Sequence, residues 1–543
     1  MKRTTLSLIV AVAVLAVVAG LAAVTRSDGA DQPAKETPRA TRMPVQRTTL
    51  ACPAPTSSEF AETTYTAVSV PPADAPAPAG DDADDAEDEG ASATLRPADG
   101  ELPDEGEASG EEDDPNAEDD PNSEDDGAED DGAKDDERGK KEQKGAADAP
   151  EVTLSEPRAA VVADTDDPEA PALVGNASGT LAPGYTVQQT TEISMGEGRG
   201  LLGTACAAPS AEFWFAGAST HSARADYVHL TNPDDTPAVV DLELYGADGQ
   251  IETSSGNGIS VPARATVPVR LSTLTSEQET DLVLHVIARS GRLSAAVQAV
   301  HADLGGDWLP PSEAPAPSAV LPGLPKDTEA ARLVVFAPDD DADLKVELAT
   351  PTGRVVPAGY ETLHVRAGMT ASVELKGITQ GEPGSLVLTP TESDRSADVV
   401  AGVQVVRGED DEQEIAFLSA VGPVTEQATV AGNERKGTTL FLAAPDRAAT
   451  VKITSIGPGG GDPQEQTVEV KARTTLAVVP PAPSGKKPFA VTVTPASGGP
   501  VYAARMLSRA GEDVAMFTLQ PVPDDRATVL VPEAEADISV LGR

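Results

Sequence analysis

Aromatic residues, cysteine, histidine and positive charge are all scarce in this sequence. Its 543 residues include 2 Trp, 6 Tyr, 8 Phe, 2 Cys and 5 His. So few cysteines and histidines argue against a haem pocket, a zinc cluster or a disulfide-rich scaffold. Acidic residues outnumber basic ones by 89 to 40, which gives a net charge of −49. Nucleic-acid binding needs a basic surface, so this composition argues against it as well.

Recognisable catalytic motifs are also missing. The chain has no Gly-x-Ser-x-Gly or His-Glu-x-x-His motif, and the Gly457–Gly461 loop lacks the Lys-Ser/Thr of a phosphate-binding loop. His229 and His285 lie in predicted strands and are interpreted as structural. We therefore predict no catalytic residue, no cofactor and no metal ion. The absence of these motifs favours a protein that is not an enzyme.

Asp307 and Trp308 form the one candidate contact site for a partner or a sugar. An indole beside a carboxylate can stack on a ligand and hydrogen-bond to it. Burial of Trp308 as a core anchor is the favoured interpretation of the same pair.

A long apolar segment near the N-terminus predicts export. Lys2 and Arg3 precede the run Leu6–Val24, whose 19 residues would span roughly 28 Å as a helix at about 1.5 Å per residue. Residues 1–26 are thus predicted to be a retained signal-anchor or a cleaved signal peptide, followed by a linker over 27–45. The basic end should stay cytoplasmic, which places the rest outside the cell membrane or, after cleavage, in the secreted fraction.

The two cysteines fit an exported protein. Cys52 and Cys206 both lie in an Ala-Cys-x-Ala-Pro context. In an oxidising compartment, two cysteines most simply form one disulfide. Two unrelated free thiols are the alternative interpretation.

Residues 71–150 form an acidic, low-complexity stretch. They hold 31 acidic and 6 basic residues and include the near-repeat Glu-Asp-Asp-Pro-Asn. Apart from Leu95 and Leu102, the stretch offers almost nothing to bury. Such a composition cannot offset the entropy lost on ordering, so we predict a disordered insert.

The most informative feature is an internal repeat. The pattern Val-x-Ala-x-x-Thr begins at Val261, Val365 and Val470, at separations of 104 and 105 residues. The dipeptide Pro-Asp recurs upstream at residues 233, 338 and 445, followed each time by an alternating apolar run. Matches in register over several segments indicate a tandem array.

Alternation of apolar and polar residues predicts half-buried strands, with glycine-rich turns between them. Seven or eight strands in about 105 residues are typical of an immunoglobulin-like β-sandwich. A copy of the opening strand recurs near residue 527, so the alternative is a β-propeller with two blades per repeat. We thus predict an all-β chain, and the domain boundaries are as follows: 46–70 and 151–220 as two parts of a degenerate β-unit around the insert, then repeats at 221–330, 331–437 and 438–543.

The Arg47–Pro55 segment behind an N-terminal anchor, the Ala205-Cys206 motif and the Asn232-Pro233 strand repeats resemble an actinobacterial family of exported proteins. That family carries a domain of unknown function. The resemblance covers about residues 40–70 and 150–543. It implies location and fold style and transfers no functional residue.

Together these features predict a non-enzymatic envelope protein with a single-pass anchor. Its β-repeats would be displayed to bind an envelope protein or glycopolymer, with membrane contact through the N-terminal helix. The alternative is a glycan-acting enzyme or an accessory subunit of envelope glycan assembly. That alternative would gain support if Asp281, Asp307 or Glu414 met in one deep pocket, since glycosidases use paired carboxylates.

Overall fold

The structure is a computed structural model that describes residues 40–72, 91–98, 151–409, 412–510 and 515–532. The predicted N-terminal helix lies outside these residues. Within the described ranges the protein is built of 36 β-strands and two short 3-10 turns. No helix in those ranges has the length and hydrophobicity that a membrane crossing requires. The all-β prediction is confirmed.

The strands form four successive units, each made of a first and a second antiparallel sheet. The first unit pairs the sheets β2-β7-β4-β5 and β6-β3-β8-β9. Its strands are β2 (Arg47–Cys52), β3 (Ala61–Ser69), β4 (Ala93–Pro97), β5 (Val152–Leu154), β6 (Val161–Thr165), β7 (Leu173–Ser178), β8 (Tyr185–Ile193) and β9 (Gly200–Ala205).

The second unit has two sheets. The first has the strand order β10-β16-β12-β13, with β14 also paired to β12, and the second has the order β15-β11-β17-β18. Its strands are β10 (Glu212–Ala218), β11 (Arg224–Thr231), β12 (Ala238–Gly246), β13 (Gly249–Ile251), β14 (Ile259–Val261), β15 (Thr266–Arg270), β16 (Leu282–Ser290), β17 (Ser294–His301) and β18 (Gly305–Leu309).

The third unit repeats this arrangement. Its first sheet has the order β19-β25-β21-β22, with β23 also paired to β21, and its second sheet has the order β24-β20-β26-β27. Its strands are β19 (Ala319–Leu324), β20 (Thr328–Ala337), β21 (Ala342–Thr350), β22 (Gly353–Val355), β23 (Thr362–Val365), β24 (Met369–Lys376), β25 (Gly384–Pro390), β26 (Val400–Arg407) and β27 (Glu414–Ser419).

The fourth unit pairs β28-β33-β30-β31 with β32-β29-β34-β35. Its strands are β28 (Ala428–Asn433), β29 (Thr438–Ala444), β30 (Ala449–Ile456), β31 (Gln464–Val470), β32 (Thr474–Val478), β33 (Phe489–Gly498), β34 (Tyr502–Ala510) and β35 (Ala515–Pro521). A separate two-stranded sheet joins β1 (Thr41–Pro44) and β36 (Thr528–Val531).

These sheets show that each unit begins one strand earlier than the sequence repeats suggested. β10, β19 and β28 each pair within the unit that follows them, although the predicted boundaries assigned them to the preceding repeat. The extra copy near residue 527 is β36, which pairs with β1. The frame differs because the sequence motifs mark the middle of each unit and leave its opening strand unassigned.

The Val-x-Ala-x-x-Thr motif marks the place where the chain crosses from the first sheet to the second. Its fourth residue is Arg264, Gly368 or Arg473, and each has a positive φ of 54°, 71° or 64°. The backbone N–H of that residue donates to a carbonyl at or just beyond the end of β11, β20 or β29, as Arg473 does to Ala444 at 2.7 Å. The first unit has an equivalent turn at Arg158, with a φ of 60° and a 2.7 Å bond to Ser69.

One correction concerns the acidic insert. Ala93–Pro97 is strand β4, which lies between β7 and β5 in the first sheet of the first unit. Ala93 and Leu95 are fully buried in the core of that unit. The insert is therefore not one continuous disordered segment, because the alternating Ala-Thr-Leu run inside it supplies the two apolar side chains that a strand needs.

The four units close into a ring. The final strand of each second sheet is an edge strand, and these four edge strands contact one another in the cyclic order β9, β18, β27, β35 and back to β9. We call them the axial strands. Their residues are almost all buried, so the ring centre is packed with side chains. Meeting at the axis also covers four sheet edges that would otherwise be open to pairing.

Sheets pack face to face around this ring. Within each unit both sheets contribute to one apolar core. Between units, the first sheet of one packs on the second sheet of the next, as Trp214 does on Phe336 with 5.6 Å between ring centroids. The fourth unit packs on the first in the same way, through Ala431 and Ile456 against Val68 and Val70.

Close approach between units requires glycine. A Cβ on Gly402 of the third unit would lie 2.1 Å from the backbone oxygen of Ala216 in the second. At the next junction, a Cβ on Gly323 would lie 3.0 Å from the Cβ of Ala504. One partner at each of these two contacts is thus a glycine, which lets strand β10 or β19 lie directly on the neighbouring sheet.

Candidate functional site: a cleft between the second and third units

A cleft of about 460 Å³ opens between the second and third units. It lies beyond the end of β10, where that strand no longer covers the outer face of the third unit's second sheet. The second unit supplies one wall, from the β10–β11 loop and the end of β17. Strands β20, β24 and β26 of the third unit form the floor. The lining residues are Ser219, His221, Ala223, Arg224, Thr280, His301, Leu304, Glu329, Ala330, Arg332, Glu374, Lys376, Gln404, Val406 and Gln413.

Strand periodicity places the polar floor. Ala331 and Leu333 are fully buried in the core of the third unit, so Arg332 between them projects from the opposite face of the sheet. The antiparallel register sets Arg332 directly opposite Glu374 on β24 and Gln404 on β26. A basic, an acidic and an amide side chain therefore lie side by side across three strands.

Arg224 is the fixed part of the opposite wall. It forms a two-point ion pair with Asp226, at 3.0 Å from Nε and 2.6 Å from Nη2, and its Nη1 donates to Gly217 O at 3.0 Å. The guanidinium also lies 5.1 Å from the ring centroid of Phe417 in the third unit. Burial raises the pKa of Asp226, and the charge and hydrogen bonds of Arg224 oppose that shift.

Two histidines of this wall have the same hydrogen-bonding arrangement. His221 Nδ1 accepts from the backbone N–H of Ala223 at 3.2 Å. His301 Nδ1 accepts from the N–H groups of Asp303 and Leu304 at 3.1 and 3.3 Å. An accepting Nδ1 carries no proton, so in the neutral ring Nε2 is the N–H donor. Burial, aided by the nearby charge of Arg224, lowers the pKa of His301 and favours that neutral form.

The two walls are linked by an ion pair. Arg332 Nε donates to Asp281 Oδ1 at 2.6 Å, and Nη2 donates to Oδ2. Asp281 lies just before β16 of the second unit. This hydrogen bonding and the negative charge of Asp281 raise the pKa of Arg332. Arg332 lines the cleft, and its Nη1 makes no hydrogen bond to any described residue.

Asp307 and Trp308 are not a surface site, which corrects their interpretation as a possible partner contact. They are 0% and 1% exposed on axial strand β18. Asp307 Oδ1 accepts from the N–H of Gly203 at 2.9 Å and from the hydroxyl of Thr518 at 3.2 Å. Asp307 thus joins the first, second and fourth units at the ring centre. Burial raises the pKa of its carboxyl well above the usual range.

Trp308 packs where the first unit meets the second, in an apolar cluster with Ile193 and Leu202. His229 lies edge-on to it, with 5.4 Å between ring centroids. Both ring nitrogens of His229 are buried without a partner among the described residues, and burial lowers the pKa of this histidine to about 4. Burial of Trp308 matches the core-anchor interpretation.

The three carboxylates considered for glycosidase chemistry do not meet in the cleft. Asp281 pairs with Arg332. Asp307 and Glu414 lie on different axial strands, and burial raises the pKa of Glu414 to about 7. None of the three is among the residues that line the cleft.

His285 has a more elaborate environment than a strand histidine ordinarily shows. Its ring stacks on Trp214 with centroids 3.5 Å apart, and its two nitrogens lie 2.8 and 3.3 Å from carboxylate oxygens of Glu212 and Glu243. Tyr245 donates to the same oxygen of Glu243 at 2.7 Å. The described residues contain no group of three or more His, Cys, Asp and Glu side chains arranged to hold a metal ion.

The disulfide is confirmed. Cys52 at the end of β2 bonds to Cys206 just after β9, with 4.3 Å between Cα atoms and a sequence separation of 154. The two sulfurs lie in the core of the first unit and join its two sheets.

Sequence reasoning missed the cleft residues, although a signal was present. Gln298, Gln404 and Met506 lie on the corresponding strands β17, β26 and β34, where their cross-strand partners are Tyr227, Arg332 and Thr439. Of these three pairs, only that of the third unit sets an arginine opposite a glutamine. A departure from the repeat at a surface position could have indicated a site.

The fold and cleft define an all-β repeat protein whose distinctive polar residues lie at one junction between units. Residues 161–481, more than half of the chain, match a family of unknown function, DUF5719. The chain belongs to that family. No curated protein matches it.

Proposed function

We propose that this chain is a non-enzymatic, exported protein of the cell envelope that presents a closed ring of β-units to an envelope glycopolymer or protein. The single observation that carries the proposal is the buried Cys52–Cys206 disulfide. Disulfides form and persist in oxidising compartments, outside the cytoplasm. The predicted N-terminal anchor and the resemblance to exported actinobacterial proteins support the same location.

The proposal includes the architecture of the units. Each is an immunoglobulin-like sandwich, and the four sandwiches close into a propeller-like ring. The chain alternates between two sheets that share a core, which supports a sandwich. Consecutive strands would build a single sheet in a propeller blade. Closure of the ring and the packing of eight sheets around it support the second part.

The cleft is the proposed binding site. Its volume falls within the range of about 300–1,000 Å³ that ligand pockets occupy, and its lining is polar on both walls. An ion pair fixes Arg224 and another fixes Arg332, so their positions do not depend on a ligand. A preorganised site loses little conformational entropy on binding.

Two experiments test the proposal. Envelope fractionation of cells that express the full chain should place it in the membrane fraction, or in the medium if the signal is cleaved, and a thiol-blocking gel-shift assay should find no free cysteine. Recovery in the cytoplasm with both thiols free would refute export. Cross-linking of the exported chain should then retain envelope glycopolymer or one reproducible protein partner, and a preparation that retains neither would refute the binding role.

A further inference from the structure

We infer that the cleft between the second and third units binds an anionic sugar, meaning a saccharide that carries a carboxylate or phosphate group. This inference rests on the proposed function and names the chemistry of the ligand. It begins with hydrogen-bond donors on side chains that line this cleft and that have no acceptor among the described residues.

Three such donors come from three side chains. Nε2 of His221 and of His301 carries the ring proton, because Nδ1 of each ring is already an acceptor. Nη1 of Arg332 is turned away from Asp281, which occupies Nε and Nη2. Among the described residues, none of these three nitrogens has a hydrogen-bond acceptor. Donors left unpaired favour a ligand that supplies oxyanion acceptors.

The floor supplies the complementary acceptors. Glu329 and Glu374 line the same cleft, and both are exposed. Carboxylates of this kind accept hydrogen bonds from sugar hydroxyls. Acceptors on the floor and donors on the wall together suit a ligand that bears both hydroxyls and a negative group.

The make-up of the lining argues against a neutral sugar. Each of its three cations has a carboxylate partner, so recognition rests on the remaining donors: Arg224 pairs with Asp226, Arg332 with Asp281 and Lys376 with Glu374. The described lining contains no Trp, Tyr or Phe. Neutral sugars commonly gain affinity by stacking on such rings, so recognition here relies on polar contacts.

The test is calorimetric titration of the full chain with four probes: glucuronate, glucose 6-phosphate, glucose and inorganic phosphate. We expect at least one of the two anionic sugars to bind at least tenfold more tightly than glucose and than phosphate. Preference for one of them identifies the negative group. Equal affinity for phosphate and the anionic sugars would overturn the saccharide part of the inference, and binding of glucose alone would overturn the anionic part.

Variants tie the affinity to the cleft. His301→Ala and His221→Ala should each weaken binding of the preferred probe about tenfold, which is the loss expected for one hydrogen bond to a charged group. His364→Ala is the matched control, because His364 is half-exposed on β23 and bonds to Asp343 outside the cleft. Thermal unfolding of each variant checks that the ring still folds. Undiminished binding by well-folded His301 and His221 variants would overturn the assignment.

Failure of this inference can be distinguished from failure of the proposed function. If no probe binds but the exported chain still retains envelope polymer or a protein partner, the anionic-sugar assignment is wrong and the binding role stands. If fractionation places the chain in the cytoplasm, the proposed function falls whatever the calorimetry shows.

Discussion

Asp307 in the second unit accepts a hydrogen bond from the backbone N–H of Gly203 in the first unit, with 2.9 Å between nitrogen and Oδ1. The same oxygen accepts from the hydroxyl of Thr518 in the fourth unit. The backbone N–H of Trp308 is the third donor to this oxygen, at 2.8 Å. One buried carboxyl therefore satisfies polar groups from three of the four units at the ring centre.

Replacing Asp307 by alanine should destabilise the ring. The change leaves three buried donors without an acceptor, and each unsatisfied group costs roughly 1–3 kcal/mol. We expect the free energy of unfolding to fall by about 3 kcal/mol or more, measured by urea denaturation. Asp303→Ala, an exposed change in the turn just before β18, is the control. If Asp307→Ala unfolds at the same urea midpoint as the wild type, the hydrogen bonds of Asp307 do not stabilise the ring.

Gly402→Ala should separate the second and third units. The new Cβ would lie 2.1 Å from a backbone oxygen of Ala216, and backbone cannot move aside as a flexible side chain can. We expect a loss of about 2 kcal/mol of stability, typical of overpacking, together with weaker binding at the adjacent cleft. Gly457→Ala is the control, since its Cβ would meet nothing closer than 3.4 Å. Equal melting temperatures for the two variants would contradict the prediction.

Asp525 and Glu414 should each lower the stability of the protein as the pH rises from about 4 to 7. Burial raises the pKa of Asp525 to about 7 and that of Glu414 to about 7, against unfolded values near 3.9 and 4.3. Between those values the native state holds protons that the unfolded chain has released, so the free energy of unfolding falls as pH increases. Each group can contribute up to about 1.4 kcal/mol per pH unit within that window.

Melting temperatures at pH 5.5 and pH 8 measure this effect. The double variant Asp525→Asn with Glu414→Gln should show a smaller difference between the two pH values than the wild type. Asp235→Asn, an exposed change, should leave the difference as it is. A double variant whose stability changes between the two pH values as the wild type's does would refute the prediction.

Reduction of the disulfide should destabilise the first unit most. Cys52–Cys206 closes a loop of 154 residues, and losing a crosslink of this kind typically costs about 2–5 kcal/mol. Hydrogen exchange of the chain with and without dithiothreitol should show lost protection in β2 and β9 first. Uniform loss across all four units would mean that the ring unfolds as a single cooperative structure.

The sequence predicted the units better than their assembly. The motif beginning at Val261, Val365 and Val470 predicts a repeated β-structure because its turn requires a left-handed residue at one position in each copy. The ring depends on contacts between residues such as Trp214 and Phe336, which lie on faces that the alternation pattern assigns to solvent. Period-two patterning distinguishes two faces of a strand, and it does not identify the surface that covers the second face.

The cleft was harder to predict for a related reason. His221 and His301 lie 80 residues apart, and Arg332 belongs to the next unit. The fold of the second unit brings the two histidines together, and packing against the third unit adds Arg332. None of the three forms a local motif with its neighbours in sequence. Strand β4 was missed because its two apolar side chains are surrounded by acidic sequence, so composition over a long window hid a short alternating run.

Ring closure has a consequence for how such a chain can change. In an open array, the loss or gain of a repeat leaves a working stack with a new end. Here every axial strand touches two others, and Arg509 of the last unit already bonds to Glu192 of the first at 2.7 Å. A fifth copy could be inserted only by breaking a contact between two neighbouring units, such as this one between the last unit and the first. Variation is thus confined to substitutions and loop insertions, and the copy number is fixed at four.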